Sequence, residues 1–163
     1  METSSEPTPM PQPAVFRSAR KGRNLLLVNT REQTMPNQAE AERLLNRALI
    51  TQAHFREAAH RIVQMGAESV IMSLGSRGAV GATGTRVVEA VPPMIDAICA
   101  IGAGDALAAA FVWALSEQKT FDDAVRWGVA CGTASAALPG ISFPTFAQTE
   151  KMHSRVELRV VSA

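Results

Sequence analysis

The residues best suited to chemistry are Ala100-Ile101-Gly102-Ala103-Gly104-Asp105, followed at once by the apolar run Ala106 to Leu115. Glycines permit a tight turn, and the run behind them reads as a buried helix. A glycine turn that opens a helix leaves backbone N–H groups unpaired at the positive end of the helix dipole, where a phosphate is held well. A carboxylate at Asp105 would repel a resting phosphate. It suits a site in which a nucleophile loses a proton beside that phosphate, which is the chemistry of phosphoryl transfer.

Two more loops have the composition to join that turn. Asn29-Thr30-Arg31-Glu32 closes the run Leu25 to Asn29, and Ser73-Leu74-Gly75-Ser76-Arg77-Gly78 closes the run Ser69 to Leu74. Both runs read as buried strands, and a third short strand is expected at Ile95 to Cys99, just before the glycine turn. In open α/β sheets ligands gather at the carboxyl ends of strands, so the three loops are expected to face one cleft. Other phosphate loops do not fit. No G-x-x-x-x-G-K-[ST] occurs, and Leu107 stands where a dinucleotide fingerprint needs its third small residue.

The elements that must position these loops alternate along the chain. Helical spacing runs from Ala39 to Ile50, and again from an N-cap at Thr51 to Met65, with Gly66 as a stop. Ala79 to Ala82 and Arg86 to Val91 read as a hairpin about Gly84, and Pro92-Pro93 ends it. Thr120 caps a helix that runs to about Leu138, a short helix surrounds Glu150, and a strand is expected at Val156 to Val160. Strands alternating with helices imply an α/β fold with a parallel or mixed sheet.

Composition bounds the partners. The chain has 163 residues, 47% of them hydrophobic, with 16 basic against 15 acidic side chains, so it should fold as one domain without a field for nucleic acid or membrane. Residues 1–23, with Pro7, Pro9, Pro11 and Pro13 before a basic cluster, read as a flexible tail ahead of a domain at 24–163. Cys99 and Cys131 lie in apolar stretches as buried thiols, and His54, His60 and His153 have no metal-ligand spacing. No secretory leader is visible, and a cytoplasmic location is expected.

The order N-x-x-E, then S-L-G-x-x-G-A, then G-A-G-D at a helix start resembles the PfkB, or ribokinase-like, carbohydrate kinases. Ser73-Leu74-Gly75 through Gly81, Val91-Pro92-Pro93 and Trp127-Gly128-Val129-Ala130 are most similar to the phosphofructokinase and tagatose-6-phosphate kinase branch. The resemblance implies a ribokinase-like layered sheet flanked by helices and truncated on its N-terminal side. It also implies transfer of phosphate from ATP, with Mg²⁺, to a sugar or sugar-phosphate hydroxyl. By resemblance, Asp105 is the catalytic base, and the amides of Gly102, Ala103 and Gly104 form the anion hole. Ser73, Gly75 and Gly78 lie along ATP, while Asn29 and Glu32 organise Mg²⁺ through water.

The chain departs from the family pattern where Cys99-Ala100 replaces a polar pair, and where Leu138 replaces an asparagine near the adenine. The resemblance covers the C-terminal portion of the pattern, and the sugar-binding residues belong to the rest. Two alternatives therefore stand beside the kinase reading: a non-catalytic relic that binds nucleotide weakly or only self-associates, and a nucleoside kinase of the same fold. Self-association, or a complementing N-terminal half, is the expected partnership, because missing cover leaves sheet edges and apolar helix faces open.

Overall fold

The computed structural model describes residues 33–162. The expected strand at Leu25 to Asn29, the tail at 1–23 and the residues Asn29 and Glu32 lie outside the described residues. A short strand β1 (Gln33–Thr34) leads into α1 (Gln38–Leu45) and α2 (Gln52–Gln64). Strand β2 (Ser69–Ser73), a 3₁₀ turn (Gly75–Arg77), and strands β3 (Ala79–Thr83) and β4 (Arg86–Val91) follow. Then come α3 (Ala103–Ser116), α4 (Phe121–Ala136), α5 (Phe146–His153) and β5 (Glu157–Ser162).

The strands form one sheet in the order β1-β2-β3-β4-β5. β1 and β2 are parallel and the other pairs antiparallel, so the sheet is mixed. The hairpin keeps Ser73 opposite Ala79 and Ala79 opposite Ala90, which brings the ends of β2 and β4 to the same side of the sheet.

Alternation along the strands builds two cores. Val70, Met72, Val80, Ala82 and Val87 pack with Ala41 of α1 and Phe55, Ala58, Ala59 and Ile62 of α2. Ile71, Ala79, Val88 and Ala90 pack with Leu107 and Phe111 of α3 and with Val125 and Val129 of α4. The result is a three-layer α/β/α arrangement, in which each strand contributes alternate residues to opposite layers.

Several elements end where local hydrogen bonds stop them. Periodicity predicts a helix from Ala39 to Ile50, yet α1 closes at Leu45, where Asn46 turns left-handed at φ 49°. The connection to α2 is then held by side chains: Glu42 Oε1 accepts the Leu49 N–H at 2.9 Å, and Gln38 Nε2 donates to the Leu49 carbonyl at 3.1 Å. Thr51 caps α2 as expected, accepting the His54 N–H at 3.2 Å.

The expected strand at Ile95 to Cys99 does not form. Pro92 and Pro93 offer no N–H to a neighbouring strand. The Ile98 and Cys99 N–H groups instead bond the Ala136 carbonyl, at 2.8 and 3.1 Å. That carbonyl belongs to the last turn of α4, so the same two bonds cap the helix two residues before Leu138. An apolar run before the glycine turn is thus a loop strapped to a helix end.

One buried charge ties β4 to α2. Glu89 on β4 is 1% exposed and meets Arg56 Nε of α2 at 2.5 Å. Replacing Arg56 with Met leaves a desolvated carboxylate without its cation. The expected loss is about 2–3 kcal/mol in urea unfolding, below the ~3–5 kcal/mol of fully enclosed pairs, because the Arg56 side chain is 38% exposed. The double replacement Arg56→Met with Glu89→Met should recover part of that loss, and an equal or larger loss would show that the charge is not what destabilises the single variant.

Candidate active site

A cleft of about 480 Å³ opens at the end of the sheet where β2 and β4 finish. Ser73, Gly75 and Ser76 form one wall, Pro92 to Ile95 another, and Ala103 and Leu107 of α3 with Gly132 and Thr133 of α4 close the back. The lining is mostly apolar, with the hydroxyls of Ser73, Ser76 and Thr133 as its polar side chains. Two of the three loops predicted to share a cleft do so; the third, at Asn29 to Glu32, lies outside the described residues.

The glycine turn takes the shape its sequence requires. Gly102 has φ 83° and serves as the N-cap of α3, a left-handed conformation that suits glycine. The first helical bond runs from the Ala106 N–H to the Gly102 carbonyl at 2.9 Å. Ala103 differs from expectation, because its N–H donates back to the Ala100 carbonyl at 3.2 Å and closes the turn. Among the described residues, the N–H groups of Gly102, Gly104 and Asp105 have no such partner. Three donors at a helix start, rather than the three glycine-turn amides predicted, are open to an anion.

Asp105 sits exposed in the first turn of α3, two residues beyond Ala103, which lines the cleft. Gly78, predicted to lie along a nucleotide, is buried and does not line the cleft. Its φ is 90°, and a Cβ there would run into the Ala90 carbonyl and lie 2.7 Å from Pro92 Cδ. Gly78 folds the loop back against β4, while Gly75 and Ser76 face the cleft.

The predicted N-x-x-E spacing occurs a second time, at Asn37 and Glu40. Here it forms a capping box at the start of α1. The Asn37 side chain accepts the Glu40 N–H, and Glu40 Oε2 accepts the Asn37 N–H, both at 2.9 Å. The box abuts the cleft: Asn37 bridges to Ser73, whose N–H bonds the Pro36 carbonyl at 3.1 Å. The sequence carried the signal, an Asn before a helical stretch with a Glu three residues on. Ser76 and Thr133 lacked any comparable signal, since lone hydroxyls in a turn and a helix are commonplace.

His153 and the two cysteines are set in packed surroundings outside the cleft lining. His153 stacks on Trp127 with ring centroids 4.4 Å apart, and its Nε2 lies 2.8 Å from Asp123 Oδ1. Cys99 and Cys131 are free and half-buried; burial pushes the Cys131 thiol up, partly offset by a hydrogen bond with Thr149. Among the described residues there is no cluster of three His, Cys, Asp or Glu side chains able to hold a metal, and no helix long and apolar enough to cross a membrane. Ile98, Ile101, Ile141 and Phe143, in the loops that flank the glycine turn and follow α4, are largely exposed.

Comparison with known proteins gives one family. A model described as pfkB family carbohydrate kinase matches residues 26–146. The chain is 34% identical over 130 residues to the ATP-dependent 6-phosphofructokinase isozyme 2 of Escherichia coli, an alignment covering 79% of this chain and 42% of that one. It is 36% identical over 102 residues to a 1-phosphofructokinase of Borreliella burgdorferi, covering 62% of this chain and 33% of the relative. Phosphofructokinase-2 of E. coli, solved in complex with substrates and products, superposes with a TM-score of 0.71 at 35% identity, over 76% of this chain and 40% of that one. Ribokinase of Arabidopsis thaliana, complexed with ribose and ATP, gives a TM-score of 0.69 at 25% identity, over 75% and 40%. The chain thus spans well under half the length of these relatives.

The position of the turn depends on Gly132. A Cβ there would stand 2.8 Å from the Ala103 carbonyl, whereas one at Gly104 would meet nothing within 4 Å. Gly132→Ala should therefore lower stability by about 1–3 kcal/mol through overpacking. Gly104→Ala should hold stability or raise it by about 0.5–1 kcal/mol, the helix preference of Ala over Gly. Urea unfolding of both variants tests this, and equal effects would contradict the contact.

Proposed function

The chain belongs to the pfkB family of carbohydrate kinases, and from that premise we propose that its cleft binds Mg²⁺ and ATP for transfer of the γ-phosphoryl group to a sugar or sugar-phosphate hydroxyl. The observation that carries this reading is the juxtaposition of two loops far apart in sequence. The Ser73–Ser76 wall and α3, through Ala103 and Leu107, line one apolar cleft, and the open amides of Gly102, Gly104 and Asp105 adjoin Ala103 in the chain. An apolar lining with three hydroxyls suits a nucleobase and ribose. The names of the relatives favour a phosphorylated hexose as acceptor.

In this reading Asp105 accepts the proton of the attacking hydroxyl, and the Gly102, Gly104 and Asp105 amides stabilise charge on the transferred group. Among the described residues Asn37 and Glu40 are the pair placed to organise Mg²⁺, next to Ser73. Asn29 and Glu32 have the same spacing. One carboxylate and an amide fit an ion held largely through water and nucleotide phosphates, as Mg²⁺ prefers, and not an all-protein cage. When bound, the ion neutralises charge on the phosphates.

A second reading is nucleotide binding without phosphoryl transfer, accompanied by self-association. The exposed Ile98, Ile101, Ile141 and Phe143 favour it, because apolar residues grouped near a cleft favour association. Sedimentation distinguishes a monomer from an assembly.

Two measurements test the kinase reading. Millimolar Mg-ATP should raise the melting temperature, since a ligand bound only by the native state stabilises it. A melt that ignores Mg-ATP would remove the nucleotide site. Asp105→Asn should lower sugar-kinase turnover by about 10²- to 10⁴-fold while ATP affinity holds or rises. Turnover near wild type in that variant would remove Asp105 as the base.

A further inference from the structure

Arg77 is exposed on the loop that forms one wall of the cleft, yet its side chain turns away from the cleft to the opposite layer of the sheet. Its Nη2 donates to Gln38 Oε1 at 2.5 Å, and its guanidinium lies 4.7 Å from the centroid of the Phe55 ring. Gln38 is the first residue of α1, directly after the Asn37 cap that bridges to Ser73. Its amide nitrogen also donates to Glu42 Oε1 at 2.9 Å and to the Leu49 carbonyl. The bond from Gln38 to Glu42, with that from Leu49 N–H, holds the Glu42 carboxyl below its usual range. One guanidinium thus connects the cleft loop, the start of α1 and a buried ring of α2.

We propose that Arg77 is a positioning residue that latches the Gly75–Gly78 loop to α1 and α2, holding Gly75 and Ser76 in the shape that receives the nucleotide. The inference rests on the nucleotide reading of the cleft. Two features favour a latch over ordinary surface solvation. A planar guanidinium can stack on a ring and donate in its own plane at the same time, and both contacts are present here. The backbone bonds of the loop are local: the Leu74 N–H bonds the Gly78 carbonyl at 2.8 Å, the Arg77 N–H bonds the Leu74 carbonyl at 3.3 Å, and the Gly78 N–H bonds the Gly75 carbonyl at 3.0 Å. None of the three reaches α1 or α2, Gly78 anchors the end of the loop beside β4, and Gly75 adopts φ 61° with open space around it. Without the Arg77 contacts, the exposed Gly75-Ser76 part of the loop would have to be ordered when nucleotide binds, at a cost in affinity.

The test compares the full chain with its Arg77→Ala and Arg77→Lys variants. Arg77→Ala should speed hydrogen exchange at the amides of residues 77 and 78 and weaken Mg-ATP binding by about three- to tenfold, the usual cost of ordering a freed side chain and loop. The urea midpoint should fall only slightly, because Arg77 is at the surface and an exposed cation–π contact contributes little to stability. Arg77→Lys retains a donor for Gln38 but not the planar stack, and should fall between the two. A merely structural role would lower the urea midpoint with no local change in exchange, and that pattern would overturn the latch. Unchanged exchange in both variants would do the same. If the wild-type chain fails to bind Mg-ATP, the nucleotide reading fails, and the exchange comparison alone decides whether Arg77 holds the loop.

Discussion

Backbone contact between α3 and α4 sets the position of everything at the cleft. At Gly128 a Cβ would lie 3.0 Å from the Leu107 carbonyl, and at Gly132 one would lie 2.8 Å from the Ala103 carbonyl. Two glycines one helical turn apart therefore let the first two turns of α3 rest directly on α4. α4 in turn lies low on the sheet because Gly81 of β3 leaves room for Val125, whose Cγ2 would be 2.7 Å from a Cβ at that position. Sheet, α4 and α3 form a stack in which each layer is located by a missing side chain in the layer it touches. Interiors packed this closely transmit small displacements rather than absorb them. The turn that starts α3 is thereby held at a fixed distance from the ends of β2 and β4.

The second constraint is the strap from Val91 to Ile101. It leaves the sheet at two prolines, lines the cleft with Pro92 to Ile95, and returns to α4 through the Ala136 carbonyl before entering the glycine turn. Because that carbonyl ends α4, the same hydrogen bonds that shape the cleft also terminate the helix. The turn then closes through the Ala103 N–H, which is why that amide is engaged and its neighbours are open. Helix dipole and open donors coincide at Gly104 and Asp105, beside an apolar cavity that strengthens any charge interaction formed there.

Much of this was legible in the sequence wherever a local rule governs the outcome. Thr51 and Thr120 cap their helices as their positions predict, Gly84 turns the hairpin, and the G-A-G-D run opens α3. Errors arose where a distant partner decides. The run Ile95 to Cys99 has the composition of a strand, but its last two N–H groups bond a helix nearly forty residues away. The periodicity of α1 continues past Leu45, yet Glu42 and Gln38 capture the backbone of Leu49 and end the helix early. Gly78 matches a nucleotide loop by spacing, and its close approach to β4 has no signature in the sequence. Of two N-x-x-E spacings eight residues apart, the structure describes the second as a capping box beside Ser73, and sequence spacing alone could not rank them.

The central claim is that Mg-ATP occupies the cleft between the Ser73–Ser76 wall and the start of α3. Amide-resolved NMR titration of the full chain with Mg-ATP tests it most directly. The account predicts shifts concentrated at Ser73, Gly75, Ser76, Gly102, Gly104, Asp105 and Thr133, with α2 and β5 unmoved. Shifts confined to other surfaces, or none at millimolar nucleotide, roughly the level needed to fill a weak site, would contradict it.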